Sequence, residues 1–288
     1  MLVISNHKCD LDYFFVWAAA AKVGVLQPGH FNAVAKGVLR KLPLCGWMFK
    51  LVGFLFLARS WEADRDRIAA WCVAAARKKR PQWLVLYPEG TRFTPRAKER
   101  SDIAAKEHGQ TPLQGELLLP RPKGFCELAR ALPSAGFTHV LDITLCYIGS
   151  DNATPVTSNQ LGTSALLGLA AGALPVARID VHCSLHSLAD VAGAASDDAR
   201  RDWLMQRWRQ KEKLLQHAVE TGTLADGPHR PQDEAPVPAG RMACITAIAT
   251  VAMAFFLRLL AHTAAFRMYV FVASIGCAAL AYFDPPDW

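Results

Sequence analysis

The stretch LVISNHKCDLDYFFVWAAAA, residues 2–21, decides how the chain folds, because three structural signals follow one another within it. Leu2–Ser5 is mostly apolar and rich in branched side chains, which is typical of a buried strand. A polar run ends the strand, and Asp10 within that run is a suitable N-cap for the apolar helix that follows. The stretch therefore predicts a strand, a tight turn and a helix, with His7 and Asp12 at the turn.

His7 and Asp12 form a pair suited to activating a hydroxyl group. On one continuous helix their side chains would not share a face, but a chain that doubles back at a turn can bring the carboxylate to one imidazole nitrogen. The other nitrogen then stays free to accept a proton, as a general base requires. A histidine and an aspartate at this spacing also occur together by chance in many proteins, so the pair alone is a weak signal.

A second polar turn, Tyr-Pro-Glu-Gly-Thr-Arg at residues 87–92, directly follows the apolar segment 83–86. Ligands of α/β proteins usually bind at the carboxyl ends of strands, which is where this turn is expected. Gly90 lets the backbone approach a ligand, Thr91 supplies a hydroxyl group, and Arg92 offers a planar fork of donors that fits phosphate oxygens. Phosphate binding is one interpretation, and an ordinary turn with a surface arginine is the other.

Two further segments carry cations at the ends of predicted elements. GFLFLAR, residues 53–59, places Arg59 at the end of an apolar strand, and LPRPKGF, residues 119–125, places Lys123 at the start of a helix. A single Lys or Arg in such a place is most often only solvated. Their occurrence in the same chain as the two polar turns described above is what favours a functional role for these two cations.

Short apolar runs alternate with helical stretches along residues 1–220, and this alternation favours an α/β fold with a mixed central sheet flanked by helices. The predicted strands are residues 2–5, 54–58, 83–87, 117–119, 140–147 and 178–185. The predicted helices are residues 11–23, 62–78, 123–132 and 198–218. We expect residues 1–220 to form the catalytic domain.

The amino-acid composition of the chain changes after this domain. Residues 221–241 read as a linker, because the first twenty of them hold four prolines and three glycines, a composition that does not pack. Residues 242–284 are almost uninterruptedly apolar in two blocks, each close to the lower limit of about 17 residues for a membrane span. With arginines at the block ends, they predict a transmembrane helical hairpin. Two buried helices of a soluble core are the alternative.

Composition narrows the classes of protein. Because 52% of the residues are apolar, the composition favours a folded chain over a disordered one. The net charge of +7 suits an anionic partner, such as a phospholipid surface, a phosphorylated substrate or nucleic acid. The eight cysteines form no CxxC pair and no ligand-like spacing with histidine, so we expect reduced thiols, no metal and a domain that faces the cytosol. No secretory signal is expected at the start.

Four segments, taken in order, resemble the blocks that define the glycerolipid acyltransferase family, and specifically its 1-acylglycerol-3-phosphate acyltransferase branch. The segments are NHKCDLD (residues 6–12), GFLFLAR (53–59), PEGTR (88–92) and LLLPRPKGF (117–125). Further likeness to the endoplasmic-reticulum subgroup of plants and animals lies in LPLCGW, residues 42–47. Four ordered matches are far more specific than any one of them.

The resemblance implies a role for each matching residue. His7 would be the general base and Asp12 its partner. Seven further residues would contact the acceptor or the acyl donor: Arg59, Glu89, Gly90, Thr91, Arg92, Lys123 and Gly124. A base that takes the hydroxyl proton accelerates such a reaction by about 10²–10⁴-fold. The resemblance therefore implies direct transfer with neither an acyl-enzyme nor a metal.

The implied reaction moves a fatty acyl group from the co-substrate acyl-CoA, with no cofactor, to the sn-2 hydroxyl of lysophosphatidic acid, giving phosphatidic acid. The implied setting is a multi-pass protein of the endoplasmic reticulum membrane with its catalytic domain facing the cytosol. Family members carry membrane helices before the first block. The resemblance leaves open a truncated sequence or anchoring by the C-terminal pair alone.

Other functions remain open. The acceptor can be lysocardiolipin or another lysophospholipid. Lys36, Arg40 and Lys41 offer extra cations for such an acceptor, and a solvated helix face is the other interpretation of these three residues. The basic cluster 77–80 can bind anionic lipid in a non-catalytic membrane protein, whereas nucleic acid is disfavoured because exposed aromatic residues are not interleaved with the cations. A hydrolase is the third class, although nothing near His7 resembles a metal site or a nucleophile elbow.

Overall fold

The structure is a computed structural model of the 288-residue chain. It describes residues 1–22, 31–41, 45–58, 61–78, 80–162, 165, 168, 173–224 and 268. The chain divides into two compact units, of which the first comprises residues 1–37 with 49–226 and the second residues 38–48 with 227–288. The described part of the second unit consists of residues 38–41 and 45–48, in a 3₁₀ turn and the start of a helix, together with residue 268.

The first unit is built on a mixed sheet, which has six strands in the described residues. The strands are β1 (Leu2–Ser5), β2 (Phe31–Lys36), β3 (Leu55–Leu57), β4 (Trp83–Leu86), β5 (His139–Ile148) and β6 (Arg178–Ser187). Their order in the sheet is β3-β2-β4-β1-β5-β6. The first five are parallel, and β6 pairs antiparallel with β5 along the edge.

Eight α-helices lie within the described residues. They are α1 (Asp12–Lys22), α2 (Cys45–Val52), α3 (Trp61–Arg77), α4 (Pro95–Glu107), α5 (Pro122–Ala131), α6 (Ser158–Leu161), α7 (Leu188–Ala192) and α8 (Asp197–Thr221). Helix α8 is the longest, and local chemistry defines both of its ends. The Ser196 hydroxyl accepts a hydrogen bond from Ala199 N, and Gly222 ends the helix with φ +78°, a conformation that favours glycine.

The sheet separates two apolar layers, and the central strand β1 contributes to both because side chains alternate along a strand. Leu2 and Ile4 pack with core residues of α3, α5 and α8 on one face. Val3 packs on the other face with core residues of α1. All four residues of β1 are buried, which explains why its sequence shows no polar alternation.

The predicted fold class is confirmed, since a mixed sheet is flanked by helices. Five of the six predicted strands and all four predicted helices match observed elements within a few residues. The strand predicted at 117–119 is wrong. Leu117 and Leu118 are buried, but the segment joins no ladder and Leu119 N instead donates to Ser101 Oγ at 2.7 Å.

Five observed elements were not predicted, namely β2, α2, α4 and the two short helices α6 and α7. Strand β2 reads FNAVAK, where Asn and Ala weaken the apolar pattern of a strand. Helix α4 is strongly polar, and its start depends on a local cap: the Thr94 hydroxyl accepts from Ala97 N, with Pro95 at the first helical position.

The predicted hydrophobic tail, residues 242–284, lies outside the described residues apart from Met268, and so does the predicted linker beyond residue 224. In the part of the chain that the structure describes, no helix combines the length and the apolar character that crossing a bilayer requires.

Candidate active site

Two turns meet at the carboxyl ends of β1 and β4, which are neighbouring parallel strands. The turn after β1 contains His7, and Phe93 N donates to the His7 carbonyl oxygen at 2.8 Å. Asn6 anchors the same turn to β5, because its side-chain amide donates to Leu145 O at 3.0 Å and accepts from Leu145 N at 2.9 Å. The sheet topology therefore brings the first and third predicted blocks together.

The predicted pair of His7 and Asp12 is formed. His7 Nδ1 lies 2.7 Å from Asp12 Oδ2, and the Asp12 side chain is completely buried. Oδ2 also accepts from the backbone N–H groups of Lys8 at 2.6 Å and Cys9 at 3.0 Å. Because the carboxylate only accepts, the imidazole proton belongs on Nδ1, and Nε2 is left as the acceptor. The His7 side chain is 21% exposed, so a substrate can reach it.

Tyr147 of β5 contacts the other carboxylate oxygen of Asp12, Oδ1. Tyr147 was not predicted as a site residue. Its buried hydroxyl donates to Asp12 Oδ1. Burial, and then the nearby Asp12 carboxylate, raise the pKa of Tyr147 well above 10, so the hydroxyl keeps its proton. Cys9 Sγ also lies 3.5 Å from Asp12 Oδ1. The Asp12 carboxylate therefore has hydrogen-bond partners on both oxygens.

Cys9 lies beside His7 but has the chemistry of a buried thiol. Burial, followed by the Asp12 carboxylate, raises the pKa of Cys9 to about 12. A thiol in this state carries almost no thiolate at neutral pH, and the thiolate is the nucleophilic form. A covalent route through Cys9 is therefore disfavoured.

The turn after β4 fixes the imidazole from its other side. The Tyr87 ring stacks on the His7 ring, with centroids 4.2 Å apart and an angle of 20° between the planes. Gly90 N donates to Tyr87 O at 2.9 Å, and Gly90 has φ +72°, which favours glycine. Thr91 is half-buried, and Arg92 Nη1 lies 3.8 Å from Asp10 Oδ2 in the first turn.

Glu89 faces the protein interior. Its side chain belongs to a residue that is only 2% exposed, and the His7 backbone N–H donates to its Oε1 at 3.4 Å. Burial is the largest of the causes that raise the pKa of Glu89 well above 4.5. The predicted contact of Glu89 with an acceptor stays a prediction, while the observed contact is with the backbone of the general-base candidate.

Arg121 joins this site, although the sequence analysis assigned it no role. Its backbone N donates to Pro88 O at 2.7 Å. A Cβ atom on Gly90 would lie 3.2 Å from Arg121 Cδ and 3.5 Å from Arg121 Nε, so the Arg121 side chain lies directly over the turn. The signal in the sequence was its place in LPRPKGF, two residues before Lys123.

The structure says less about the remaining predicted site residues. Lys123 and Gly124 are in the first turn of α5, whose start is tied to the turn at Pro88. Lys123 is exposed, and a Cβ atom on Gly124 would meet no other atom within 4 Å. Arg59 lies outside the described residues, so its predicted role stays a prediction.

An open groove of about 580 Å³ begins at Phe93 and follows α4. Its charged lining residues are Lys98, Lys106, Glu99, Asp102 and Glu116. Because carboxylates outnumber lysines there, the groove does not favour an anionic ligand. In the described ranges, no group of three His, Cys, Asp or Glu side chains is arranged to hold a metal ion.

Comparison with known proteins agrees with the resemblance seen in the sequence. The chain is 27% identical over 284 residues to probable 1-acyl-sn-glycerol-3-phosphate acyltransferase 5 of Arabidopsis thaliana, which covers 99% of this chain and 70% of that protein. It is 32% identical over 222 residues to lysocardiolipin acyltransferase 1 of Danio rerio, covering 76% of this chain and 53% of that protein.

A human relative gives a similar result. The chain is 29% identical over 230 residues to human 1-acyl-sn-glycerol-3-phosphate acyltransferase delta, covering 80% of this chain and 56% of that protein. The match with the zebrafish and human relatives thus spans little more than half of their length. Residues 1–148 match the family described as Acyltransferase, and they contain both turns that meet at His7. The predicted family is confirmed, and the chain belongs to the acyltransferase family.

Proposed function

We propose that this protein transfers a fatty acyl group from acyl-CoA to the sn-2 hydroxyl of lysophosphatidic acid, giving phosphatidic acid. The observation that carries the proposal is the contact of 2.7 Å between His7 Nδ1 and the buried Asp12 carboxylate, in a half-buried position that a substrate can reach. Membership of the acyltransferase family, and relatives named for this acceptor, support the same reaction.

The first step forms the new ester bond. A hydroxyl is a poor nucleophile until a base takes its proton, and His7 Nε2 is that base. The acceptor oxygen attacks the carbonyl carbon of the thioester as its proton moves to Nε2. The Asp12 carboxylate stabilises the imidazolium that forms, while stacking on Tyr87 fixes the plane of the ring.

The second step breaks the thioester. The tetrahedral intermediate collapses, the carbon–sulfur bond breaks, and the electron pair leaves with the sulfur of CoA. The imidazolium returns the proton to that sulfur, which restores neutral His7. The reaction thus needs neither a covalent acyl-enzyme nor an added cofactor, and its products are the acylated lipid and free CoA.

Two guanidinium groups at the second turn bind the phosphate of the acceptor in this proposal. Arg92 follows Thr91 at the end of the turn with a side chain that is 43% exposed, and Arg121 lies over Gly90. Arginine binds phosphate oxygens with a planar fork of donors. The N-terminal end of α5, which no side chain caps, adds partial positive charge beside Arg121.

Lysocardiolipin is a second candidate acceptor, because the relative from Danio rerio is named for it. The chemistry at His7 would be unchanged, and only the acceptor side would differ. Such an acceptor is larger and carries two phosphates, so it would need cations beyond the second turn. A side-by-side comparison of acceptors separates the two candidates.

A membrane setting belongs to the proposal, since the acceptor and the product are both lipids. The apolar sequence of residues 242–284 supports anchoring in the bilayer. The catalytic domain would face the cytosol, where acyl-CoA is available, with the endoplasmic reticulum as the membrane. Localisation of a tagged protein, with protease protection of the domain, tests this part.

The decisive experiment is an acyl-transfer assay of the full chain. Labelled oleoyl-CoA is offered with lysophosphatidic acid, lysocardiolipin and other lysophospholipids, and both the acylated lipid and free fatty acid are measured. His7→Ala should lower the transfer rate by about 10²–10⁴-fold, because the base is lost. Arg92→Ala and Arg121→Ala should mainly raise KM for the phosphorylated acceptor.

His108→Ala provides the matched control, since this histidine is exposed at the end of α4. The control should keep the wild-type rate. Product formation by His7→Ala at the wild-type rate would remove the catalytic assignment. Free fatty acid without acylated lipid would instead indicate a hydrolase, and lipid binding without either product would indicate a non-catalytic lipid-binding protein.

A further inference from the structure

Lys8, which lies between His7 and Cys9 in the first turn, forms an ion pair with a residue of a distant segment. Its Nζ lies 2.8 Å from Oε2 of Glu116, which belongs to the loop between α4 and α5. Lysine is one of the residues most often left exposed, yet the Lys8 side chain is only 11% exposed. The turn that contains the general-base candidate is therefore tied by a side chain to another part of the fold.

The backbone of Lys8 contacts the carboxylate that orients the base. Lys8 N donates to Asp12 Oδ2 at 2.6 Å, and the same oxygen lies 2.7 Å from His7 Nδ1. The position of this N–H therefore affects where Oδ2 lies relative to the imidazole. Because the ion pair and this hydrogen bond belong to one residue, loss of the ion pair would loosen the backbone that holds the oxygen.

Glu116 is itself held in place by neighbouring groups. Its Oε1 accepts from the Ser158 backbone N–H and from the Ser158 hydroxyl, both at 2.9 Å, and its Oε2 lies 3.0 Å from the same N–H. The next two residues along the chain, Leu117 and Leu118, are buried. An ordinary surface ion pair loses much of its gain in ordering two flexible side chains. That cost is smaller for Lys8 and Glu116, since the carboxylate is already fixed.

A second ion pair of the first turn shows how Lys8 differs from a phosphate-binding cation. Arg92 Nη1 lies 3.8 Å from Asp10 Oδ2, and the Arg92 side chain is 43% exposed, so a phosphate can reach it. The Lys8 ammonium group has a shorter contact and is far less exposed. Its charge is therefore better suited to holding the turn than to binding an acceptor.

We propose that Glu116 is a positioning residue for acyl transfer: its ion pair with Lys8 keeps the Lys8 backbone N–H on the carboxylate that orients His7. This inference rests on the function proposed above. Glu116 acts through Lys8 and Asp12, and it takes no part in the proton transfer at His7 Nε2. Removal of the Glu116 charge should therefore slow the chemical step and leave the binding of both substrates nearly as it is.

The direct test follows the Lys8 backbone N–H and does not depend on activity. In the full chain labelled with ¹⁵N-lysine, the Lys8 amide resonance is identified by its loss in Lys8→Arg, and its exchange with solvent deuterium is measured. Glu116→Gln should speed this exchange by about tenfold or more, because the hydrogen bond to Asp12 opens more often. The glutamine keeps an oxygen for Ser158 and removes the charge that pairs with Lys8.

Glu99→Gln is the matched control. Glu99 is exposed and lines the same groove as Glu116, so this variant removes a charge of the same sign from the same groove. The Lys8 exchange rate and kcat should both stay at their wild-type values. In Glu116→Gln, the amide of the buried Lys211 of α8 should keep its exchange rate, which separates a local opening of the turn from a general loss of stability.

The kinetic test compares variants at both ends of the ion pair. Glu116→Gln should lower kcat by about tenfold with KM changed by less than about twofold, because a misplaced base can cost about 10²-fold. Lys8→Met should have a similar effect, whereas Lys8→Arg keeps the cation and should stay within about threefold of the wild-type kcat. The double variant Lys8→Met with Glu116→Gln should be no slower than the slower single variant, since both remove one contact.

The outcomes separate this inference from the proposed function. If Glu116→Gln keeps the kcat of Glu99→Gln, or if it leaves the exchange of the Lys8 amide unchanged, the positioning role is wrong. A raised KM with an unchanged kcat would also contradict it, since Glu116 would then contact a substrate. An unchanged rate in His7→Ala would instead overturn the proposed function, and the Lys8 amide would still report whether Glu116 holds this part of the backbone.

Discussion

Each of the two turns of the active site has one buried carboxyl group, and the two groups differ in how many hydrogen bonds they accept. Asp12, at the first turn, receives hydrogen bonds on both oxygens from side-chain and backbone donors. Glu89, at the second turn, receives one from His7 N at 3.4 Å, and its Oε2 has none from the described residues.

The difference shows that burial alone does not give a carboxyl group its role. Converging donors stabilise the charged form, so Asp12 is suited to be a fixed charge behind the imidazole. Where donors are few, burial dominates and raises the pKa, as at Glu89. The Asp12 carboxylate at the first turn is therefore suited to be a fixed negative charge, whereas the Glu89 carboxyl group at the second turn retains its proton more easily.

Removal of the Asp12 carboxyl should have the largest effect. Asp12→Ala should lower kcat by about 10³-fold, because the imidazole loses both its orientation and its counter-charge. Asp12→Asn should cost less, about 10²-fold. Two backbone donors, Lys8 N and Cys9 N, require an oxygen at the Oδ2 position, so the amide oxygen should stay there and still accept from His7 Nδ1.

The amide NH₂ of Asp12→Asn would then face Tyr147, whose hydroxyl can rotate to accept. Rate measurements on both variants, with circular dichroism spectra to confirm folding, check this order. Equal losses in the two variants would show that orientation of the imidazole contributes nothing beyond the charge.

Tyr147→Phe should have the next largest effect. The variant leaves Asp12 Oδ1 with only the weak thiol donor of Cys9, and an underbonded buried acceptor costs about 1–3 kcal/mol of folding stability. We expect kcat to fall by about tenfold, since the carboxylate is held less firmly while its contact with His7 remains. Urea unfolding and kcat measured together check both parts. Tyr13→Phe, a change of the same size on α1, should keep kcat.

Glu89→Gln should have the smallest structural effect, and the size of its effect on stability depends on pH. The folded-state pKa of Glu89 lies above its ordinary value of 4.5, so the folded protein holds a proton that the unfolded chain releases. Stability is therefore lost as the pH rises from about 4.5 through the folded-state pKa. The glutamine variant does not titrate, so its melting temperature relative to wild type should increase from pH 5 to pH 8. A constant difference would contradict the raised pKa.

Much of this arrangement could be predicted from local sequence. The strand, turn and helix of residues 2–21 follow from apolar patterning, and His7 and Asp12 lie close together along the chain. The run Leu117–Leu119 was misleading, because consecutive leucines fit a strand and also an extended segment between Gly115 and Pro120. Periodicity cannot tell these apart.

The parts that could not be predicted depend on contacts across the sheet. Tyr147 lies 135 positions from Asp12 along the chain, and only the pairing of β5 with β1 brings its hydroxyl to the carboxylate. Trp208 belongs to an apolar stripe of α8, which indicates a core position but not the contact of the indole ring with the Lys211 ammonium group. Arg121 could be suspected from its segment, but its place over Gly90 required the fold.

Asn6 has a consequence for how precisely the base is held. By donating to Leu145 O and accepting from Leu145 N, its side chain imitates one more rung of the β1–β5 ladder after the backbone has turned away. The residue immediately before the imidazole is thus tied by two hydrogen bonds to a buried residue of the sheet. The imidazole that accepts the proton is therefore held as firmly as the sheet. A substrate has to move to this base, and any adjustment of the protein to the shape of the substrate has to occur in other parts of the site.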